Sequence, residues 1–246
     1  MEQGKKFFTL SFDDGVTQDR RLIEILKKYH FTACTFNLNT GLFGANWEWV
    51  GKNLGDPSLT HIRMEAEEVK TLYRDYEVAV HTLHHPSLKD LSRAEVLEEI
   101  NGDAENITAL FGKYPIGMAW PGGDHCYTEE NIRWLQQDTK IRYARATTPT
   151  HRFDFPDRFE VWKPTCSISD DMVMTLAEKF LNEKTETDRL FYVWGHSYEL
   201  DFAHRWEIFE ALVKMMSGSP EVTCLTNGDI YLYSRQKDRV LSSVGN

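Results

Sequence analysis

Residues 7–15 read FFTLSFDDG: a β-prone run, Phe7 to Phe12, that stops on Asp13-Asp14-Gly15, residue types that favour turns. The stretch predicts a strand entering a loop. Directly after it Leu22, Ile25, Leu26 and Tyr29 recur at helical spacing and Phe31 to Phe36 is β-prone again, which makes one β-α-β unit. Asn37 to Asp56 follows, rich in Gly, Asn and Trp and without periodicity, and reads as a long loop of the kind that often carries function. The same alternation then continues. Met64 to Tyr73 predicts a helix, and Glu77 to Val80 a strand that runs into HTLHHP at residues 81–86. Ser92, with Glu95 three residues on, predicts a capped helix carrying Leu97, Ile100, Ala104, Ile107 and Phe111 on one face. Pro115 to Trp120, Arg142 to Ala146, a short run from Val161, Leu190 to Trp194 and Glu221 to Leu225 read as further strands. Helices are predicted over Thr128 to Gln137, after Ser169 with Met172, Leu176 and Phe180, and finally with Trp206, Phe209, Val213 and Met216.

Seven or eight strands alternating with helices, without an internal repeat or a low-complexity linker, argue for parallel β-α units in a single domain over residues 1–246. A closed or distorted barrel and an open doubly wound sheet both satisfy that pattern. Asp13-Asp14, His81 to His85, Pro121-Gly122-Gly123 and His196 each follow directly on a strand, and in a barrel the loops after the strands gather on one face. Four motifs distant in sequence would converge there.

Composition narrows the chemistry. The chain carries 28 Lys+Arg against 38 Asp+Glu, a formal charge of −10, so a nucleic-acid partner, which calls for a clustered basic face, is not expected. No run approaches the roughly 20 apolar residues of a membrane span, and the N-terminus turns acidic before a signal-type apolar region develops. The expectation is a cytoplasmic protein without a membrane partner. Cys34, Cys126, Cys166 and Cys224 form no CxxC pair and read as buried free thiols. The aromatic share, 13% with seven Trp, is high and needs a reason.

The adjacent carboxylates Asp13 and Asp14 point in different directions at a strand end and suit two tasks, one binding a cation and one acting as a base. Asp-Asp-Gly is also ordinary turn chemistry. His81 and His85, four apart, can face one ion if the segment forms a helical turn, and His84 competes as the second ligand. Two His and one carboxylate leave positions open for water and substrate, as a catalytic Zn²⁺ requires.

The motif series LSFDDG at 10–15, HTLHHP at 81–86, Pro-Gly-Gly at 121–123 and the late strand-then-His at 196 resembles that of the polysaccharide deacetylases, the NodB-homology or carbohydrate esterase family 4 enzymes, over roughly residues 7 to 225. The resemblance implies a distorted (β/α) barrel of about seven parallel strands and metal-dependent hydrolysis of N- or O-acetyl groups on a sugar. It implies Asp13 as catalytic base, Asp14, His81 and His85 as metal ligands, and His196 as general acid; Ser11 stands where the family has Thr. The third motif departs. The family's R-x-P-x-G supplies an Arg to the catalytic Asp, whereas here Ala119 holds that position. Arg145 or Lys163, from later strand ends, could take over. The fourth motif, which tunes the catalytic His, has no clear counterpart.

Zn²⁺ suits two nitrogen and one oxygen donors, with Co²⁺, Ni²⁺ or Fe²⁺ compatible. Trp47 and Trp49 in the long loop, with Trp120, Pro121 and Trp194 beside two motifs, are candidate contacts for an acetylated mono- or oligosaccharide. His30, His61, His125, His151 and His204 read as surface or structural, and Glu199 and Asp201 as solvated loop acids, unless one orients His196. A hydrolase of cyclic amides or ureides and a non-catalytic sugar-binding protein are the rival readings.

Overall fold

The computed structural model describes residues 4–244, with side chains through residue 239. Among the described residues, eight strands and nine helices alternate along the chain: β1 Lys6–Asp13, α1 Asp19–Lys28, β2 Cys34–Leu38, α2 Trp49–Asn53, α3 Ala66–Leu72, β3 Glu77–Val80, α4 Arg93–Phe111, β4 Gly117–Ala119, α5 Glu129–Asp138, β5 Tyr143–Arg145, β6 Cys166–Ser167, α6 Val173–Asn182, β7 Arg189–Gly195, α7 Ser197–Phe202, α8 Trp206–Ser217, β8 Val222–Cys224 and α9 Asn227–Val244.

The strands lie in the order β5-β4-β3-β2-β1-β7-β6, with β8 added on β1, and every pairing is parallel. β1 is the axis of the sheet. β7 runs along one of its edges from Lys6↔Arg189 to Phe12↔Gly195, while β8 pairs with its first half and β2 with its second. The segment after β5 closes much of the remaining gap: Trp162 exchanges backbone hydrogen bonds with Ala144 and Ala146, and Thr165 donates to Tyr192 O on β7. The sheet therefore curls into a distorted barrel, as the motif series implied.

All eight residues of β1 are buried. Such burial on both faces is what a central parallel strand requires. Phe8, Leu10 and Phe12 pack outward with Leu22, Leu26, Phe191, Phe209 and Val213 under α1 and α8. Thr9, Ser11 and Asp13, on the alternate face, point inside the curl, where Thr9 bonds Asn227 and Ser11 bonds the Tyr192 hydroxyl. A second core joins Val80 and Met118 to α4 and α5 through Val96, Ile100, Ile107, Ile132 and Leu135. Phe7, Tyr143, Phe159, Trp162, Tyr192 and Ile230 fill the end of the curl opposite the site. Much of the aromatic surplus is spent on these interior contacts.

α4 begins with the reciprocal Ser92–Glu95 capping box that its sequence predicts and ends at Gly112 with φ +73°, a left-handed stop that glycine adopts without strain. Five local readings are corrected. The run at Val161 is a 3₁₀ turn, Phe159–Val161, and the strand there is β6. The long loop contains the short helix α2, and α9 follows the segment read as the last strand. The HTLHHP segment is not helical: Thr82 and His85 have φ of +68° and +56°. Finally, Cys126 and Cys224 are only partly buried.

Candidate metal and catalytic site

The strand pleat decides what each aspartate faces. Asp13, the last residue of β1, turns inward, where its Oδ1 accepts from Asn37 Nδ2 at 2.8 Å and its Oδ2 pairs with Arg145 Nη2 from the end of β5. Of the two candidate cations for the missing third-motif arginine, Arg145 reaches Asp13 and Lys163 is exposed. The His81 and His196 Nε2 atoms lie 3.7 and 3.9 Å from the same Oδ2. Burial raises the Asp13 pKa, and the charges of Arg145, His81 and His196 outweigh it, so the net shift is down. Asp13 is an ionised acceptor with an imidazole on either side.

Asp14 has φ +78° and turns the other way. Its Oδ1 accepts from Arg63 Nη2 at 2.8 Å and its Oδ2 from His61 Nε2 at 3.0 Å. Here too burial acts upward, but the His61 hydrogen bond and the Arg63 charge hold the carboxyl well below the usual range.

His81 N–H donates to Asp103 Oδ2 on α4, and its ring Nδ1–H donates to Ala119 O at 2.9 Å. A carbonyl can only accept, so the bond fixes the tautomer and leaves Nε2 as a lone pair. That atom is buried without a hydrogen-bond partner. The left-handed turn at Thr82 and His85, held by His85 N–H on Thr82 Oγ1, brings the two rings edge to face with centroids 4.8 Å apart. His84 leaves the site and pairs with Glu99 on the exterior. Burial lowers the pKa of both rings, that of His85 to about 4, so each is a neutral donor at neutral pH. One atom each of Asp14, His81 and His85 lies within 4.8 Å of the others. An ionised oxygen, two neutral imidazole nitrogens and an unpartnered inward lone pair fit a divalent cation.

Opposite this cluster stands His196, which caps the N-terminus of α7. Its Nδ1–H donates to Glu199 Oε1 at 3.1 Å, and Glu199 Oε2 accepts from Ser169. The reading of Glu199 as a solvated acid is thus corrected: it is partly buried and orients the imidazole, while Asp201 accepts from Trp206. Burial opposes the charged ring, but Glu199 prevails and the His196 pKa is pushed up to about 9. His196 is protonated at neutral pH with Nε2 facing Asp13.

The aromatic candidates separate. Trp47 is half-buried, lies over the Arg63 guanidinium at 3.8 Å, stacks on His61 and meets His85 edge on, and Trp49 beside it is 53% exposed. Trp194 is half-buried with the Arg145 guanidinium 4.1 Å from its ring centre. Trp120 and Pro121 as sugar contacts are corrected. Trp120 is 1% exposed, stacks on Tyr127 and spends its N–H on Glu160 O, and Pro121 is also buried. His61, read as surface or structural, is buried against Asp14. Arg63 and Tyr198 escaped the sequence reading; the Tyr198 ring lies between His61 and His196, at 4.9 and 5.1 Å. A signal for the first existed: His61 and Arg63 alternate with Ile62 and Met64 in strand fashion, and the stretch bridges antiparallel to Val16 and Asn46.

A curled parallel sheet whose strand ends bring together two carboxylates, two neutral imidazoles and one imidazolium defines an α/β barrel protein with a candidate metal centre. The family model for polysaccharide deacetylases matches residues 1–144, more than half of the chain, and the protein belongs to that family. The fold is similar to that of peptidoglycan deacetylase PdaC from Bacillus subtilis (17% identity, TM-score 0.54, covering 97% of this chain and 96% of that one). It is also similar to that of a CE4 family pseudoenzyme from Bacillus anthracis (17% identity, TM-score 0.53, covering 94% and 66%). A polysaccharide deacetylase from Bacillus cereus matches at 18% identity with a TM-score of 0.48 over 63% of this chain, which spans 45% of that one. A search of curated protein sequences gave no match.

Proposed function

We propose that the protein hydrolyses acetyl groups, N-acetyl in particular, from a mono- or oligosaccharide, with a divalent cation held by Asp14, His81 and His85. The observation that carries this reading is the position of Asp13 Oδ2, 3.7 Å from a ligand-type imidazole on one side and 3.9 Å from a protonated one on the other. Asp14, His81 and His85 would hold the cation, Zn²⁺ by its donor set, which would supply Lewis-acid polarisation of the acetyl carbonyl and a lowered pKa for water. Asp13, kept ionised by Arg145, takes the proton from the attacking water. His196, kept charged by Glu199, donates from Nε2 to the departing nitrogen, which leaves badly as an anion. Trp47 and Trp49 supply apolar faces beside His85 for a sugar ring, and Trp194 borders the acid side.

The protein is loaded with Zn²⁺ or Co²⁺, its metal content measured, and acetate release followed from N-acetylated chito-oligosaccharides and acetylated xylo-oligosaccharides. One ion per chain and acetate from the N-acetylated substrate are expected. Bound metal with no acetate from either substrate would turn the reading toward another amide or ureide; no metal and no turnover would leave a sugar-binding protein.

A further inference from the structure

The chain from Asn39 to Arg63 leaves the site at the end of β2 and returns to it. On its return it is pinned by backbone bonds to the residues just after the paired aspartates: Met64 N donates to Gly15 O and Thr17 N to Ile62 O, both at 2.9 Å, and Trp47 N donates to His61 O within the ribbon. The position of the Arg63 Cα relative to Asp14 is therefore set by main chain. The side chain is 1% exposed, and its Nη2 donates to Asp14 Oδ1 at 2.8 Å and to Asn39 Oδ1 at 3.3 Å. Asn39 Nδ2 in turn donates to the carbonyls of His81 and Thr82. One chain of hydrogen bonds thus runs from the Asp14 carboxylate to the backbone that carries the histidines. Asp14, Thr82 and His85 all sit at positive φ, a conformation that persists only where its surroundings over-determine it.

We propose that Arg63, relayed through Asn39, is a positioning residue that locks the Asp14 carboxylate and the His81–His85 turn into one ligand set before an ion arrives. This rests on the metal-site reading above. His61 holds the other oxygen of Asp14, and Trp47 covers the guanidinium face, so the carboxylate cannot swing. Each oxygen accepts one N–H and keeps a further lone pair for an ion.

The opposite role can be separated from this one. A guanidinium beside a ligand also repels a cation. If Arg63 served only to neutralise Asp14, its removal would strengthen metal binding. If it positions, removal weakens binding, as loss of groups that orient ligands does, by roughly ten- to a hundredfold. Positioning is favoured by the two directed bonds from Nη2, one to Asp14 and one to Asn39, since a bare counter-charge needs no tie to Asn39.

The test is a Co²⁺ titration of the full chain by competition with a chromogenic chelator, with the visible Co²⁺ spectrum at saturation and the thermal melt of the metal-free protein as companions. Arg63→Gln should raise the Co²⁺ Kd about ten- to a hundredfold and alter the saturated spectrum, because the freed carboxylate can meet the ion differently. Arg63→Lys, which keeps the charge and loses the planar Nη2 donor shared by Asp14 and Asn39, should recover only part of both and serves if the Gln variant fails to fold. Wild-type or tighter binding by either variant overturns the proposal. A wild-type protein that binds no Co²⁺ overturns the metal-site reading first, and the role of Arg63 with it.

Discussion

Asp13 and Asp14 are chain neighbours, both buried, both facing an arginine, and their surroundings nevertheless differ in kind. Asp13 is served by secondary structure: Asn37 is the penultimate residue of β2, Arg145 ends β5, and His81 and His196 flank it from just past the ends of β3 and β7. Asp14 is served by one loop, through His61 and Arg63, and completes the ligand cluster with His81 and His85. The difference teaches that one residue type acquires two tasks from geometry. A carboxylate framed by rigid strand ends and placed between two imidazoles suits proton transfer, and one clamped on both oxygens beside two neutral imidazoles suits holding a cation.

The Asp13 side breaks most severely at its arginine. Arg145→Gln takes the direct ion-pair partner from a buried carboxylate, with an expected loss of about 3–5 kcal/mol of stability in denaturant unfolding and the loss of most turnover. A melt unchanged from wild type would show that the pair does not hold Asp13.

The acid side sharpens through its pH dependence. In the folded, metal-free protein the Glu199 carboxylate outweighs burial and pushes the His196 pKa up from the ordinary 6.5 to about 9. Its stabilising pairing is accordingly complete below pH 6.5 and is lost as pH rises through about 9. Glu199→Gln removes the main cause of the elevation. The imidazole titration followed by NMR, and with it the alkaline limb of kcat, should move toward neutral pH. An unmoved titration would contradict the assigned partner.

The smallest effect separates platform from wall. Trp47→Ala should raise KM for an oligosaccharide several-fold, about 1 kcal/mol, the low end of what a base gains by stacking on an aromatic face. Trp120→Phe, remote from any sugar, should leave KM alone and lower stability modestly.

The two sides also differ in how far the sequence discloses them. The β-α-β opening, the FDDG strand end and the Ser92 cap are local signals, with pattern and structure within a few residues of each other. The family match likewise ends at residue 144, just short of Arg145. Arg145 was legible as a candidate because strand ends converge in a barrel, yet choosing it over Lys163 needed the β4-β5 register that points Arg145 inward. His61 and Arg63 act across a gap of nearly fifty residues on Asp14, and Glu199 acts on His196 from the first turn of the short helix α7, so their residue types alone read as surface chemistry. The HTLHHP turn misled for a physical reason: i,i+4 spacing suits a helix, but here two left-handed residues achieve the convergence. Trp120 misled because a strand end can face the core as readily as the mouth.

The division of labour between the two aspartates is the central claim, and metal content and acetate release measured together on Asp13→Asn and Asp14→Asn test it most directly. Asp13→Asn should retain one ion per chain while turnover falls about 10²–10⁴-fold, and Asp14→Asn should lose both. An Asp13→Asn protein with near wild-type acetate release, or an Asp14→Asn protein that binds metal as wild type does, would contradict the account.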